Sequence, residues 1–326
     1  MLTTSIAGIE VGRIGLGCFA LSGGYGPADD STAVETIHAA LELGVNLLDT
    51  SDAYAAGENE RLVGRAVEGK RDRAVITTKF GWVLDSSGKA VARDSSPEHV
   101  REACEASLQR LATDYIDLYV QHRVDPAVPI EATIGELARL RDEGKIRAFG
   151  LSEAGVDTIT RAHQVSPVAA LQTEYSLWSR DPELELLPLC KRLGITFIAY
   201  SPLGRGFLTG HVRTTADLPQ SDMRRTHPRF AEENLQWNLA LVERLQRLAE
   251  ERGCTAAQLA LAWILAQPGG AVPIPATRRV EHLRSNVASL DIHLSDADLD
   301  TIGAAIPQSL IHGARHPADH MKTIES

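Results

Sequence analysis

The sequence predicts a (β/α)8 barrel of the TIM type, with an N-terminal β-hairpin and long loops on its top face. Three observations carry that expectation. Eight short runs rich in Val, Ile and Leu recur along the chain. Amphipathic helical stretches separate most of them. Polar residues capable of acid–base chemistry fall at the C-terminal ends of the runs, where a parallel barrel places its active site.

The elements follow in order. Residues 1–14 read as a two-stranded hairpin, with Ile9 and Val11 alternating with polar neighbours, and could plug the bottom of a barrel. Strands are expected at 15–18, 45–49, 74–79, 116–122, 146–152, 168–172, 195–200 and 271–274. Near-continuous apolar runs suit parallel strands covered on both faces. Between them, 31–43 places Val34, Ile37 and Leu41 on one helical face and stops at Gly44. Residues 97–111 open with Ser96-Pro97-Glu98, a good helix start, and align Val100, Cys104, Leu108 and Leu111. Residues 130–141 align Ile130, Ile134 and Leu137 and end near Gly144. A doubly wound open sheet would instead need a Gly-x-Gly-x-x-Gly turn opening a helix. Gly15-Leu-Gly17 lacks the third glycine and reads as a tight strand. Residues 202–235, rich in Gly, Pro and Arg, read as a long top-face loop, 236–252 and 279–287 as helices, and 306–326 as an irregular polar tail. The expectation is one barrel domain over 1–326.

The chain has 326 residues, 44% hydrophobic and 23% charged, with a formal net charge of −10. That composition suits a large buried core. The negative charge disfavours a nucleic-acid or anionic-membrane partner. No apolar run approaches the roughly 20 residues of a membrane span, and no secretion signal opens the chain. The cysteines Cys18, Cys104, Cys190 and Cys254 are scattered and read as four buried thiols in a reducing cytoplasm. No metal site is expected.

Asp49, Tyr54, Lys79 and His122 sit at or just after strand ends. A phenol has a pKa of about 10, so an acid role near neutrality needs help. A nearby Lys79 ammonium is expected to lower it, with Asp49 holding the lysine charged and His122 donating to an oxygen that gains negative charge. Such a set suits carbonyl reduction. Taken singly, each residue has an ordinary explanation as a cap, a packed aromatic or a strand-end charge; four on one face of one barrel shift the balance. Neither a Gly-x-Ser-x-Gly nor a His-Glu-x-x-His occurs, which sets aside serine hydrolases and zinc proteases.

The segment Asn46-Leu-Leu-Asp-Thr-Ser-Asp-Ala-Tyr54 resembles the signature of the aldo-keto reductases. So do Ile76-Thr-Thr-Lys79, Tyr119-Val-Gln-His122, Gly150-Leu-Ser152, Leu171-Gln172, Ala199-Tyr-Ser-Pro-Leu-Gly204 and Pro275-Ala-Thr-Arg278 with Asn286. The matches run in family order over about residues 10–305. Arg205-Gly-Phe-Leu-Thr-Gly210 and Gly313-x-Arg315 resemble the bacterial and plant branch that includes pyridoxal and perakine reductases. The resemblance implies a barrel that binds NADPH/NADP+ and reduces aldehydes or ketones, with Tyr54 as proton donor. It implies that Ser152 and Gln172 hold the nicotinamide carboxamide and that Tyr200 stacks on the ring. Ser201, Leu203 and Arg205 would line the pyrophosphate path. Thr277, Arg278, His282 and Asn286 would face the adenosine end, and Arg278 and Arg279, near a helix N-terminus, suit the 2′-phosphate.

The chain departs from the commonest pattern at Glu153, Ala276, His282 and Ser285, which leaves Arg278 more of the phosphate contact. Tyr25, Trp82, Arg123 and Trp178 are expected near the tetrad on top-face loops. The cluster Arg224-Arg225-Thr-His-Pro-Arg229 reads as a solvated lid segment, and His312, His316 and His320 as chance or packing. The partner is a small carbonyl compound, and no oligomeric state follows from the sequence. The rival reading is a nicotinamide-binding regulatory subunit resembling potassium-channel β-subunits.

Overall fold

The computed structural model describes residues 2–325. Its strands are β1 (Thr3–Ile6), β2 (Ile9–Gly12), β3 (Leu16–Gly17), β4 (Leu47–Asp49), β5 (Val75–Phe80), β6 (Trp82–Leu84), β7 (Ala90–Arg93), β8 (Ile116–Gln121), β9 (Ile146–Ser152), β10 (Ala170–Glu174), β11 (Thr196–Tyr200) and β12 (Val272–Pro273). Its helices are α1 (Asp30–Glu42), α2 (Glu58–Val67), α3 (Pro97–Leu111), α4 (Ile130–Asp142), α5 (Val156–Val165), α6 (Leu186–Leu193), α7 (Glu232–Glu251), α8 (Ala256–Leu265), α9 (Val280–Val287), α10 (Asp296–Ala305) and α11 (Ala318–Met321).

Eight strands form one parallel sheet in the order β3-β4-β5-β8-β9-β10-β11-β12. The sheet curls until its ends meet. Gly15 N–H donates to Pro273 O at 3.0 Å, Gly17 N–H donates to Pro275 O at 3.3 Å, and Gly17 bridges Ala276. Glycine is needed there because a Cβ on Gly17 would lie 2.9 Å from Ile274 O. The (β/α)8 architecture is therefore as the eight apolar runs predict.

Strand side chains alternate between faces. On β4, β5, β8, β9, β10 and β11 the inward rows run Leu47-Asp49, Val75-Thr77-Lys79, Leu118-Val120-His122, Ala148-Gly150-Ser152, Ala170-Gln172-Glu174 and Ile198-Tyr200. Each row begins apolar and ends polar. The apolar ends pack with Ile6, Ile9 and Val11 of the β1–β2 hairpin, which closes the bottom of the barrel. Residues of the alternate register (Leu48, Ile76, Tyr119, Phe149, Leu171, Phe197) face the helices in the larger core. The period of two thus delivers every inward polar group to one end.

Several boundaries differ from expectation for local reasons. The sixth barrel strand starts at Ala170, two residues late, because the His163 ring accepts the Val168 N–H. α7 starts at Glu232 rather than 236, with Glu232 and Glu233 in the first turn, where acids suit the helix dipole. The β6–β7 hairpin was not anticipated; its turn is held by Asp85 Oδ1, which accepts from Ser87 N and Lys89 N. The tail is less irregular than expected, with a short 3-10 turn over Gln308–Leu310 and the single-turn α11. Cys254 is half-buried rather than buried, and all four thiols are free. Among the described residues no helix is long and apolar enough to cross a membrane, and no cluster of His, Cys, Asp or Glu could hold a metal.

Gly17→Ala should destabilise the protein by about 1–3 kcal/mol, the cost typical of overpacking a well-filled site. Urea unfolding measures this, and an unchanged midpoint would show that the barrel closure tolerates a Cβ.

Candidate active site

Asp49 and Lys79 end neighbouring strands, and both are buried. Lys79 Nζ donates to Asp49 Oδ2 at 2.7 Å, to Thr50 O at 2.7 Å and to Tyr54 OH at 3.2 Å. All three ammonium protons are thereby directed. Burial works against the lysine's charge, but Asp49 and then Tyr54 outweigh it and raise the pKa above the usual value. Asp49 Oδ1 accepts from Gln172 Nε2 at 2.7 Å, which fixes the carboxylate's other oxygen.

Tyr54 follows β4 at the start of a tight turn. Ala55 and Ala56 have φ of 47° and 52°, a left-handed conformation that costs roughly 1–2 kcal/mol per non-glycine residue. The ring sits edge-on to Phe19 and His122, with centroids 5.0 and 6.0 Å away. Burial raises the phenol pKa; Lys79 pulls it down but does not prevail. Lys79 thus lowers the phenol's pKa as expected, but burial outweighs it and the net pKa lies above the ordinary value. The phenol is therefore held protonated at neutral pH.

His122 lies one residue beyond β8. Burial, then the charges of Arg123 and Lys79, hold its pKa well below the usual histidine value, so the ring is neutral. Its Nδ1 is 3.1 Å from Ser51 Oγ. A protonated phenol backed by an ammonium, beside a neutral imidazole, can deliver a proton to an oxygen that becomes negative.

These groups open on a cavity of about 580 Å³, within the range of ligand sites. Asp49, Tyr54 and His122 line it, as do Ser152, Gln172, Tyr200, Ser201, Leu203, Arg205, Thr277, His282, Asn286, Tyr25 and Arg123. Lys79 stands behind Asp49 and Tyr54, off the wall. Ser201 (φ 47°), Gly204 (56°), Arg205 (57°) and Gly206 (87°) are left-handed. Among the described residues the Leu203 and Arg205 N–H groups have no acceptor.

Other predicted residues fall elsewhere. Arg278 does not line the cavity; its Nη1 donates to Pro27 O at 2.6 Å and Gly26 O at 3.2 Å, tying down the β3–α1 loop. Arg279 pairs with Glu281 on the surface. Trp178 is buried against Phe207, 4.8 Å between centroids, because the loop after β10 turns inward. Trp82 is off the cavity wall, its ring 6.2 Å from His122. Arg205 reaches the cavity, but its Nη2 is committed to Glu174 at 2.7 Å. The Arg224–Arg229 cluster is not a solvated lid. Arg224 pairs with Asp222 and lies 4.9 Å over the Tyr25 ring, Arg225 donates to Thr215 O and Leu218 O, and Arg229 donates to Ser179 Oγ.

Sequence reasoning missed a second buried network. Glu153 (φ 54°) turns its carboxylate away from the cavity. It accepts from Tyr200 OH at 2.6 Å and from Arg315 Nη2 at 2.8 Å. Glu174 accepts from Arg205 and Ser179, with His316 at 3.5 Å. Burial works against its charge, but the Arg205 guanidinium, helped by Arg229, holds it well below the carboxylate range. His316 and His320, expected as chance or packing, line the cavity with rings 4.3 Å apart. His312 instead stacks on Trp237. Gly313 lets the tail cross the long loop, since a Cβ there would meet Pro228 C at 2.7 Å. The one sequence signal was the four-residue spacing of His316 and His320. Ser51 lay inside the motif around Tyr54 without a role.

The model of the Aldo/keto reductase family matches residues 13–307. The chain is 45% identical over 311 residues to a probable aldo-keto reductase 1 of Glycine max, covering 95% of this chain and 89% of that one. Among solved structures, the glycerol dehydrogenase of Gluconobacter oxydans is 34% identical with a TM-score of 0.85, covering 94% of this chain and 96% of the other. An aldo-keto reductase from Klebsiella pneumoniae in complex with NADPH is 30% identical with a TM-score of 0.74, over 94% and 96% of the two chains.

Burial lowers the pKa of His122, of His316 (to about 2) and of His320 (to about 4). The unfolded chain therefore binds protons near pH 6.5 that the folded chain does not, so stability falls as pH drops through that value. The slope is at most roughly 1.4 kcal/mol per pH unit for each histidine. Urea midpoints between pH 7 and 4.5 should show the decline, and His316→Gln should flatten it.

Proposed function

Because the chain belongs to the aldo/keto reductase family, we propose that it reduces aldehydes and ketones to alcohols with NADPH, Tyr54 supplying the proton. The observation that carries this reading is the buried Asp49–Lys79–Tyr54 chain facing the cavity beside a neutral His122. The NADPH-bound relative from Klebsiella pneumoniae supports the cofactor.

The residues present fit that cofactor. Successive left-handed residues with free N–H groups at 203 and 205 make an anion-binding concavity suited to a diphosphate. Ser201, Leu203 and Arg205 would hold it, with Ser152 and Gln172 at the carboxamide and Tyr200 under the ring. Thr277, His282 and Asn286, which line the cavity, would face the adenosine end. Arg278, Arg279 and His282 are the cationic or protonatable groups nearest the α9 N-terminus, where a 2′-phosphate would be favoured. When bound, NADPH supplies the hydride.

The chain's own residues do the rest. Tyr54 waits as a neutral phenol and gives up its proton only to an oxygen that gains charge. Lys79, fixed by Asp49, stabilises the phenolate left behind. Ser51 Oγ, 3.1 Å from Nδ1, holds the neutral His122 ring in place to orient the carbonyl. Glu153, one of the departures from the common family pattern, anchors Tyr200 and would leave the carboxamide to Ser152 and Gln172. Free thiols and the absence of a membrane-length helix among the described residues suit a cytoplasmic setting. The 45% identity to a plant relative supports the bacterial and plant branch.

Tyr54→Phe should lower reduction of 4-nitrobenzaldehyde, methylglyoxal and pyridoxal by about 10²–10⁴-fold, the usual worth of positioned proton transfer. NADPH binding, read by fluorescence, should persist. Equal activity in the variant would sink the assignment; tight NADPH binding with no turnover by the parent protein would point to a regulator. Arg278→Gln should raise KM for NADPH by about tenfold, the loss of one charge-assisted contact, and leave that for NADH within twofold.

A further inference from the structure

Lys79, Arg205 and Arg224 are the other strong cations in and around the cavity, and each is matched by a carboxylate: Asp49, Glu174 and Asp222. Arg315, in the tail above them, pairs with Glu153. Arg123 is the exception. It is only 5% exposed and lines the cavity beside His122. Among the described residues it has no carboxylate partner. Both of its hydrogen bonds come from Nη1, to its neighbour's carbonyl (His122 O, 2.6 Å) and to Ser152 Oγ (3.3 Å). Its Nε is sealed from solvent with no partner.

Leaving a cation out of water without a counter-ion is costly, so a buried guanidinium in this state is set up for an anion that arrives with a ligand. A planar fork suits a carboxylate or phosphate. In a protein of net charge −10, a local cation is what such a ligand requires. Its position bears on the reaction. Arg123 bonds His122 O and Ser152 Oγ and shares the cavity wall with Tyr54, Tyr200 and His320.

We propose that Arg123 is an anion subsite, and that the preferred substrate is a carbonyl compound carrying a carboxylate or phosphate a few bonds from the reacting carbon. This rests on the reductase reading above and adds the substrate class. The cavity's remaining arginines cannot serve without first breaking their ion pairs.

The test compares kcat/KM for 4-carboxybenzaldehyde with its methyl ester, and for glyceraldehyde 3-phosphate with glyceraldehyde. The two pairs distinguish carboxylate from phosphate. The charged member of at least one pair should be favoured by about tenfold or more through KM, the usual scale of one charge-assisted contact. Arg123→Met should erase that preference and Arg123→Lys should keep part of it. No preference in either pair would overturn the proposal. So would a Met variant that weakens acid and ester alike, which would make Arg123 a positioning group for His122. Reduction of the neutral ester by the parent protein reports on the reductase reading separately. If no carbonyl is reduced, calorimetric titration with benzoate and with inorganic phosphate still decides the subsite. Binding of either that Arg123→Met abolishes supports it, and no binding or equal binding overturns it.

Discussion

Moving an ammonium and a carboxylate out of water costs several kcal/mol for each ion, and their attraction offsets this only when geometry and the remaining hydrogen bonds are right. Lys79 and Asp49 meet that condition at the mouth of the barrel. Three acceptors take the lysine protons, and Gln172 from the far side of the sheet takes the second carboxylate oxygen. Tyr54 is one of those three acceptors, so the pair also fixes the phenol oxygen. Removing either ion would leave the other buried and alone. The strained turn at Ala55 and Ala56 is tolerated because the ring it presents is held by Lys79, Phe19 and His122.

Electrostatics at the site works by opposition. Burial pushes the phenol towards its neutral form and Lys79 pulls the other way; burial prevails. For His122 burial and the flanking cations act together, and the ring stays neutral. The outcome is a set of uncharged donors in front of a fixed cation, which suits an oxygen that gains charge only as it reacts.

A second ionic layer joins the tail to the barrel. Glu153 and Glu174 sit at the ends of β9 and β10 and gather Arg315, Arg205, His316 and the Tyr200 hydroxyl. The departure from the common family pattern at Glu153 thereby acquires a physical reason. Its carboxylate is turned from the cavity to anchor the tail, and the tail in turn brings His316 and His320 to the cavity wall. Arg123 is left as the cation this layer does not neutralise.

The barrel and the tetrad were legible because their signals are local. An alternation of two places inward residues on one row, and a strand end in a parallel barrel has one direction, so 45–49, 74–79 and 116–122 sufficed to bring Asp49, Lys79 and His122 to one face. The cavity-facing positions of Ser152, Gln172 and Tyr200 follow from the same periodicity. Tertiary structure decided what each polar group bonds to. Gln172 meets Asp49 across 123 positions, and Arg315 meets Glu153 across 162. Arg278 and Arg205 show the limit from the other side. Their charge was visible in the sequence, but not that carbonyls at Gly26 and Pro27 would hold Nη1 of Arg278, nor that the carboxylate of Glu174 would pair with Arg205. Periodicity fixes which way a side chain points, whereas a hydrogen bond is settled by whichever partner the closed barrel brings within 3 Å.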